Sequence, residues 1–147
     1  MTDTIDLGHD LYPTSDGIAA LRRTFGDGPV VMLNLLRFRT HAQYGPDTPA
    51  DLDTEVSGMT AYQRYGATML PIVEAGGGRL LFSGRPEALM IGHGTLPWHA
   101  VALVEYPGVD AFVRIVSQAE VMAIAHHRAA GLEGQLLIAV RQGAGIG

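Results

Sequence analysis

The sequence predicts an α+β fold: a ferredoxin-like split βαβ arrangement with an antiparallel sheet. Three observations carry this. Strand-like and helix-like runs alternate in the order strand, helix, strand, strand, helix pair, strand after a short leading helix. The run Val30–Phe38 is apolar enough for a sheet interior and is broken once, by Asn34. Met59, Tyr62, Gly66, Met69 and Val73 recur at helical spacing, which marks a long amphipathic helix between the first two strands.

Taken in order, residues 1–14 show no period and read as an arm. Ser15-Asp16 can cap a short helix to about Phe25, ended by Gly26-Asp27-Gly28-Pro29. A strand over about 30–39 follows. Residues 40–57 hold Gly45, Pro46, Pro49 and four acids with few apolar anchors; a loop of that length in a small domain suggests a lid or binding loop. The amphipathic helix spans 58–75 and is closed by Gly76-Gly77-Gly78, with a kink expected at Pro71. Residues 79–83 and 88–91 are two short strand-like runs, either one bent strand or a hairpin. Residues 99–106 form a strand ended by Pro107-Gly108, and a helix covers 109–116. Ser117-Gln118-Ala119-Glu120 matches the S-x-x-E capping box, so a new helix should start at Ser117 and run to about Gly131. Residues 134–141 make the last strand, and 143–147 a flexible tail. The domain proper is thus 29–142, preceded by the arm and short helix of 1–28.

The chain has 147 residues, enough for one core, with 47% hydrophobic and 17% charged residues. That leaves little charge to cover a monomer's surface. The formal charge is −5 and all ten basic residues are Arg without a cluster beyond Arg22-Arg23, which argues against nucleic acid as a partner. Zero Cys excludes disulfides, thiolate metal sites and Cys nucleophiles. The acidic start lacks a secretory n-region and h-region, and no apolar run approaches a membrane span, so a cytoplasmic protein without membrane contact is expected. The tail glycines open no helix and are no phosphate loop.

Helices of this fold cover one sheet face only. The other face, expected to hold Val101, Leu103, Leu136, Ile138 and Val140, would be an apolar patch larger than soluble monomers tolerate, and a second copy is the economical cover. A homodimer is therefore expected.

Alternation along strands sorts the polar candidates. Asn34 shares a face with Met32, Leu36 and Phe38, and branched residues on the other face suit helices, which puts Asn34 toward the interior between the two sheets. There it either braces backbone or completes a ligand site, since an unpaired buried amide costs about 1–3 kcal/mol. By the same reasoning Ala100, Ala102, Val104 and Tyr106 meet helices, leaving His99 and Glu105 for the interior beside Asn34. A carboxylate there suits a general acid or base; the alternative is a structural ion pair of Glu105 with Arg79 or Arg141. Arg37, at the strand end, could meet an acidic ligand group. Trp98 and the 40–57 loop would stand at the mouth. Tyr62 lies on the apolar stripe of its helix, with Tyr65 beside it, as core residues or phenols reaching the pocket. Loop histidines at 93 and 99, and adjacent His126-His127 about 100° apart on a helix, do not make a metal site. Serines 15, 57, 83 and 117 lie in no nucleophile elbow.

The runs Met32-Leu33-Asn34-Leu35-Leu36-Arg37-Phe38, Ala61-Tyr62 with Tyr65-Gly66, Gly77-Gly78-Arg79, Gly84-Arg85, Trp98, and Val104-Glu105-Tyr106-Pro107 with Ala111-Phe112 resemble the DUF1330 family of uncharacterised proteins. Members often carry an acid after the tryptophan and an aromatic closing the stretch 117–121, where this chain has His99 and Val121. The resemblance covers about residues 29–141 and implies a dimeric α+β barrel. Related barrels include cofactor-free monooxygenases, haem-degrading enzymes, muconolactone isomerases and plain ligand-binding modules, so the fold does not choose among them.

Two functions follow as expectations. One is an enzyme without cofactor, an oxygenase or isomerase acting on a small apolar or aromatic metabolite, with Asn34, Glu105 and His99 as the catalytic set and Arg37, Tyr62, Tyr65 and Trp98 around the ligand. The other is a non-catalytic ligand-binding or structural dimer. Haem binding through His93, His99 or His126 ranks below both.

Overall fold

The computed structural model describes residues 12–146. Residues 1–11 of the expected arm and Gly147 lie outside them. Eight elements follow in chain order: α1 (Ser15–Phe25), β1 (Val30–Phe38), α2 (Gly58–Ala75), β2 (Arg79–Gly84), β3 (Ala100–Tyr106), α3 (Val109–Val116), α4 (Ala119–Gly131) and β4 (Leu132–Val140). Among the described residues, no helix is long and apolar enough to cross a membrane.

The four strands form one antiparallel sheet in the order β2-β3-β1-β4. β1 and β2 are thus parallel with β3 between them, and β3 and β4 parallel with β1 between them. These are the two interleaved split βαβ units of the ferredoxin-like fold. The connections α2 and α3-α4 both lie on one sheet face.

The core forms where that face meets the helices. Val30 and Met32 of β1 and Tyr106 of β3 pack with Met69, Ile72 and Val73 of α2, Phe112 and Ile115 of α3 and Val121 of α4. Helix α2 starts on Ser57, whose Oγ accepts from the N–H of Thr60 at 3.1 Å, and runs on through Pro71.

One junction depends on glycine. The start of α2, the end of α4 and the residue after β1 meet backbone to backbone: Arg39 N–H donates to Gly131 O at 2.8 Å, and Gly58 N–H donates to Arg39 O at 3.0 Å. A Cβ at Gly131 would sit 2.3 Å from Gly58 O, and one at Gly58 would sit 2.2 Å from Arg39 O. Neither neighbour is a side chain that could swing away.

Three local expectations are corrected. Thr14, not Ser15, caps α1: its backbone is extended and its Oγ1 accepts from Gly17 N–H at 3.0 Å, while Ser15 is already helical. Residues 88–91 form no strand; β2 is the sheet edge and nothing among the described residues pairs beyond it, and Met90 and Ile91 stand 87% and 93% exposed in the 85–99 loop. The break between α3 and α4 exists, but Ser117 closes α3 with helical backbone angles, and α4 starts on Gln118 without a side-chain cap. The capping-box geometry needs an extended residue, which Ser117 is not.

Candidate functional site

The helices leave a space against the sheet. A cavity of about 980 Å³ opens between the helix-side face and α2, α3 and α4, at the upper end of the size of small-molecule sites. Which side chains reach it is settled by register. Asn34 pairs with Ala102, Met32 with Val104 and Leu36 with Ala100, and directly opposed residues share a face. All six line the cavity.

This corrects the sorting of faces. Asn34 was expected opposite the helices and the Ala102 set toward them. Pairing ties the two together, and both face the helices. Glu105 pairs with Val31 and therefore stands on the other face, away from Asn34, with its Oε1 accepting from Arg79 Nε at 2.9 Å. The structural ion pair is what forms. Among the described residues, no Asp or Glu lines the cavity.

Asn34 is spent on the protein. Its Nδ2 donates to Met32 O at 3.2 Å and to Ala102 O at 3.3 Å, and its Oδ1 accepts from Gln135 Nε2 at 2.8 Å. Gln135 Oε1 in turn accepts from Arg128 Nη2, and the Tyr12 ring lies 5.1 Å from the Arg128 guanidinium carbon. Both amide hydrogens of Asn34 are used, so it braces β1 to β3 and fixes Gln135; no donor is left to polarise a ligand carbonyl.

An aromatic series lines the same cavity. The His99 ring stacks on Phe38 at 6.0 Å between centroids, Phe38 meets Tyr62 at 5.4 Å, and Tyr62 meets Tyr65 at 5.5 Å. Helical spacing sets the two tyrosines on the inward side of α2. Burial, reinforced by the neighbouring Tyr65, pushes the Tyr62 phenol up to about 12. Burial also raises Tyr65 and Tyr106. All three therefore keep their protons at neutral pH. His99 is oriented by backbone: Phe38 N–H donates to its Nδ1 at 2.9 Å, which places the ring proton of the neutral imidazole on Nε2.

The remaining expected site residues lie elsewhere. Arg37 pairs with Glu133 at 3.0 Å and donates to Pro97 O at 3.3 Å, so it is anchored at the strand end and does not line the cavity. Trp98 is half-buried and also absent from the wall. The 40–57 loop contributes no residue to the cavity wall: Gln43 N–H donates to Ala130 O at 2.9 Å, and Tyr44 OH sits between Arg64 Nη1 at 3.1 Å and His127 Nδ1 at 2.8 Å. Those bonds hold it on α2 and α4, where it encloses a separate polar space of about 400 Å³.

Gln135 and Arg128 are among the cavity residues the sequence reading passed over. A signal existed for each. Arg128 falls seven residues after buried Val121 and three after Ala125, on one helical face, and Gln135 is a lone amide in an apolar strand as Asn34 is.

The model of a domain of unknown function, DUF1330, matches residues 52–141. No match is found among curated proteins. Among solved structures, a protein of unknown function from Rhodopseudomonas palustris is 35% identical, with 91% of this chain and 96% of that one covered and a TM-score of 0.77. Its methylated form is 33% identical, with coverage of 93% and 99% and a TM-score of 0.77. A protein of unknown function from Bacteroides fragilis, described as dimeric with a ferredoxin-like fold, is 14% identical, with coverage of 77% and 95% and a TM-score of 0.43.

Proposed function

The chain belongs to the DUF1330 family, and we propose that it binds a small, largely apolar molecule in the cavity between its sheet and helices. The observation that carries this is the cavity itself: about 980 Å³, walled by aliphatic and aromatic side chains with a few fixed polar groups and no carboxylate among the described residues. The binding module is favoured over an oxygenase or isomerase because Glu105, the residue meant to move a proton, stands on the far side of the sheet in an ion pair.

Gly66 offers a direct test, since it lines the cavity and a Cβ there would meet nothing within 4 Å. A Phe side chain built from that open point takes up cavity space. The neutral probe N-phenyl-1-naphthylamine should bind the wild type and bind Gly66→Phe at least about tenfold more weakly. Equal binding to both would defeat the reading.

We further propose a homodimer closed through the sheet face away from the helices, in the cytoplasm, where a chain without cysteine loses nothing to reducing conditions. Leu33 of β1, Leu103 of β3 and Ile138 of β4 are register partners at the centre of that face, with Leu35, Val101 and Leu136 beside them. Leu33, Leu103 and Leu136 are only half-buried and Ile138 is exposed, an apolar strip that soluble monomers do not keep. Sedimentation at micromolar concentration should report twice 15.7 kDa.

A further inference from the structure

We propose that the occupant of this cavity is a planar aromatic compound bearing an acceptor oxygen, its ring laid along Phe38, Tyr62 and Tyr65 and its oxygen held by His99 Nε2–H and a tyrosine hydroxyl. The inference rests on the binding reading above and narrows it to one chemical class.

Two features select that class. The first is shape: His99, Phe38, Tyr62 and Tyr65 follow one another at 6.0, 5.4 and 5.5 Å between centroids, a continuous run of rings along one wall. A flat π-system meets such a wall in offset or edge contact, which an aliphatic ligand of equal volume cannot match. The second is polarity. Asn34 and Gln135 satisfy each other, the strand backbone and Arg128. Beside the ring series, N–H and O–H donors remain. His99 has its Nδ1 lone pair engaged by Phe38 N–H and so offers Nε2–H. Among the described residues, the Tyr62 and Tyr65 hydroxyls have no hydrogen-bond partner, and both stay protonated at neutral pH. With no carboxylate on the wall among the described residues, these donors complement an oxygen with lone pairs, such as an aryl ketone or quinone.

A matched pair isolates the oxygen. 2-Acetylnaphthalene and 2-ethylnaphthalene have nearly the same size and ring, so stacking and burial cancel in the ratio of their dissociation constants. The ketone should bind wild type about five- to tenfold more tightly than the hydrocarbon. His99→Asn, whose side-chain oxygen can still accept from Phe38 N–H but whose amide does not reach as far, should cut that ratio to about twofold or less. Tyr62→Phe keeps the ring series and the fold and should lower the ratio while leaving hydrocarbon affinity unchanged. A wild-type ratio near one overturns the inference, as does a ratio that survives both substitutions. Binding of N-phenyl-1-naphthylamine without binding of either naphthalene would overturn this class and leave the cavity reading standing. Failure of all three compounds would remove both.

Discussion

The two faces of this sheet are built from similar aliphatic residues and solve the problem of cover in different ways. On one face, Met32, Leu36, Ala102 and Val104 lie under three helices, yet the cover is incomplete and leaves the cavity. The other carries Leu33, Leu35, Val101, Leu103, Leu136 and Ile138 with no helix or strand of the described residues above them. Its polar groups stand at the rim as the pairs Arg79–Glu105 and Arg37–Glu133. Inward polar groups mark the helix side: Asn34, Gln135 and the tyrosines are all there. An apolar face with its charges pushed to the edge suits contact with another apolar face, whereas one with amides and phenols among its aliphatics suits a ligand.

The contrast can be broken first at the junction holding the helices down. Gly131→Ala forces a Cβ into the Gly58 carbonyl and should cost about 3 kcal/mol or more, read from urea unfolding. A normal unfolding midpoint would show that the two helices separate freely. On the open face, Leu33→Asp places a charge at the centre of the strip. It should weaken self-association by at least about a hundredfold, so that sedimentation shifts toward 15.7 kDa. Unchanged dimers would assign the interface to another surface.

Asn34→Leu sharpens the comparison at the residue that most distinguishes the faces. If Asn34 completed a ligand site, one of the two roles the sequence allowed, this change would be neutral or stabilising. The bonds to Met32 O, Ala102 O and Gln135 reverse that expectation, because Gln135 Nε2 would lose its partner; a loss of about 1–3 kcal/mol in denaturant unfolding is expected. A smaller effect comes from capping. Ser57→Ala should cost about 0.5–2 kcal/mol by freeing the start of α2, while Ser117→Ala should stay within about 0.5 kcal/mol. Equal effects would contradict the assignment of Ser117 to the end of α3.

The smallest effect is a pH dependence at the strap over α2 and α4. Burial, with His126 and Arg64 adding to it, holds His127 below its ordinary value of 6.5. The folded state therefore favours the neutral imidazole. Its contribution is present above pH 6.5 and is lost as pH falls below that value toward the lowered folded pKa. Between pH 7.5 and 5.5 the wild type should lose more stability than His127→Gln. A parallel decline would place the titration elsewhere.

Much of the fold was legible. The 58–75 helix is found at those limits because an apolar stripe recurs at helical spacing and three glycines follow its last turn. The break after residue 116 was legible too, though its cap was not: a capping box specifies residue types, and Ser117 has those types without the extended backbone. Residues 88–91 have strand-like composition but pair with no strand, which only the sheet order reveals.

The site divides along the same line. Alternation in β1 correctly grouped Met32, Asn34, Leu36 and Phe38, and alternation in β3 grouped Ala100, Ala102, Val104 and Tyr106. Each strand alone leaves a twofold choice of face, since a period of two has no sign. Choosing each strand's face by side-chain size set the two groups on opposite sides, and Glu105 was drawn toward Asn34 as a result. The pairing of Asn34 with Ala102 fixes one sign for both strands, and with it which carboxylate, amide and phenol can meet. Local composition thus determined the elements, their order and the two apolar faces of the sheet. Only the tertiary structure decided which face looks at the helices, because that sign is set by hydrogen bonds between residues far apart in the chain.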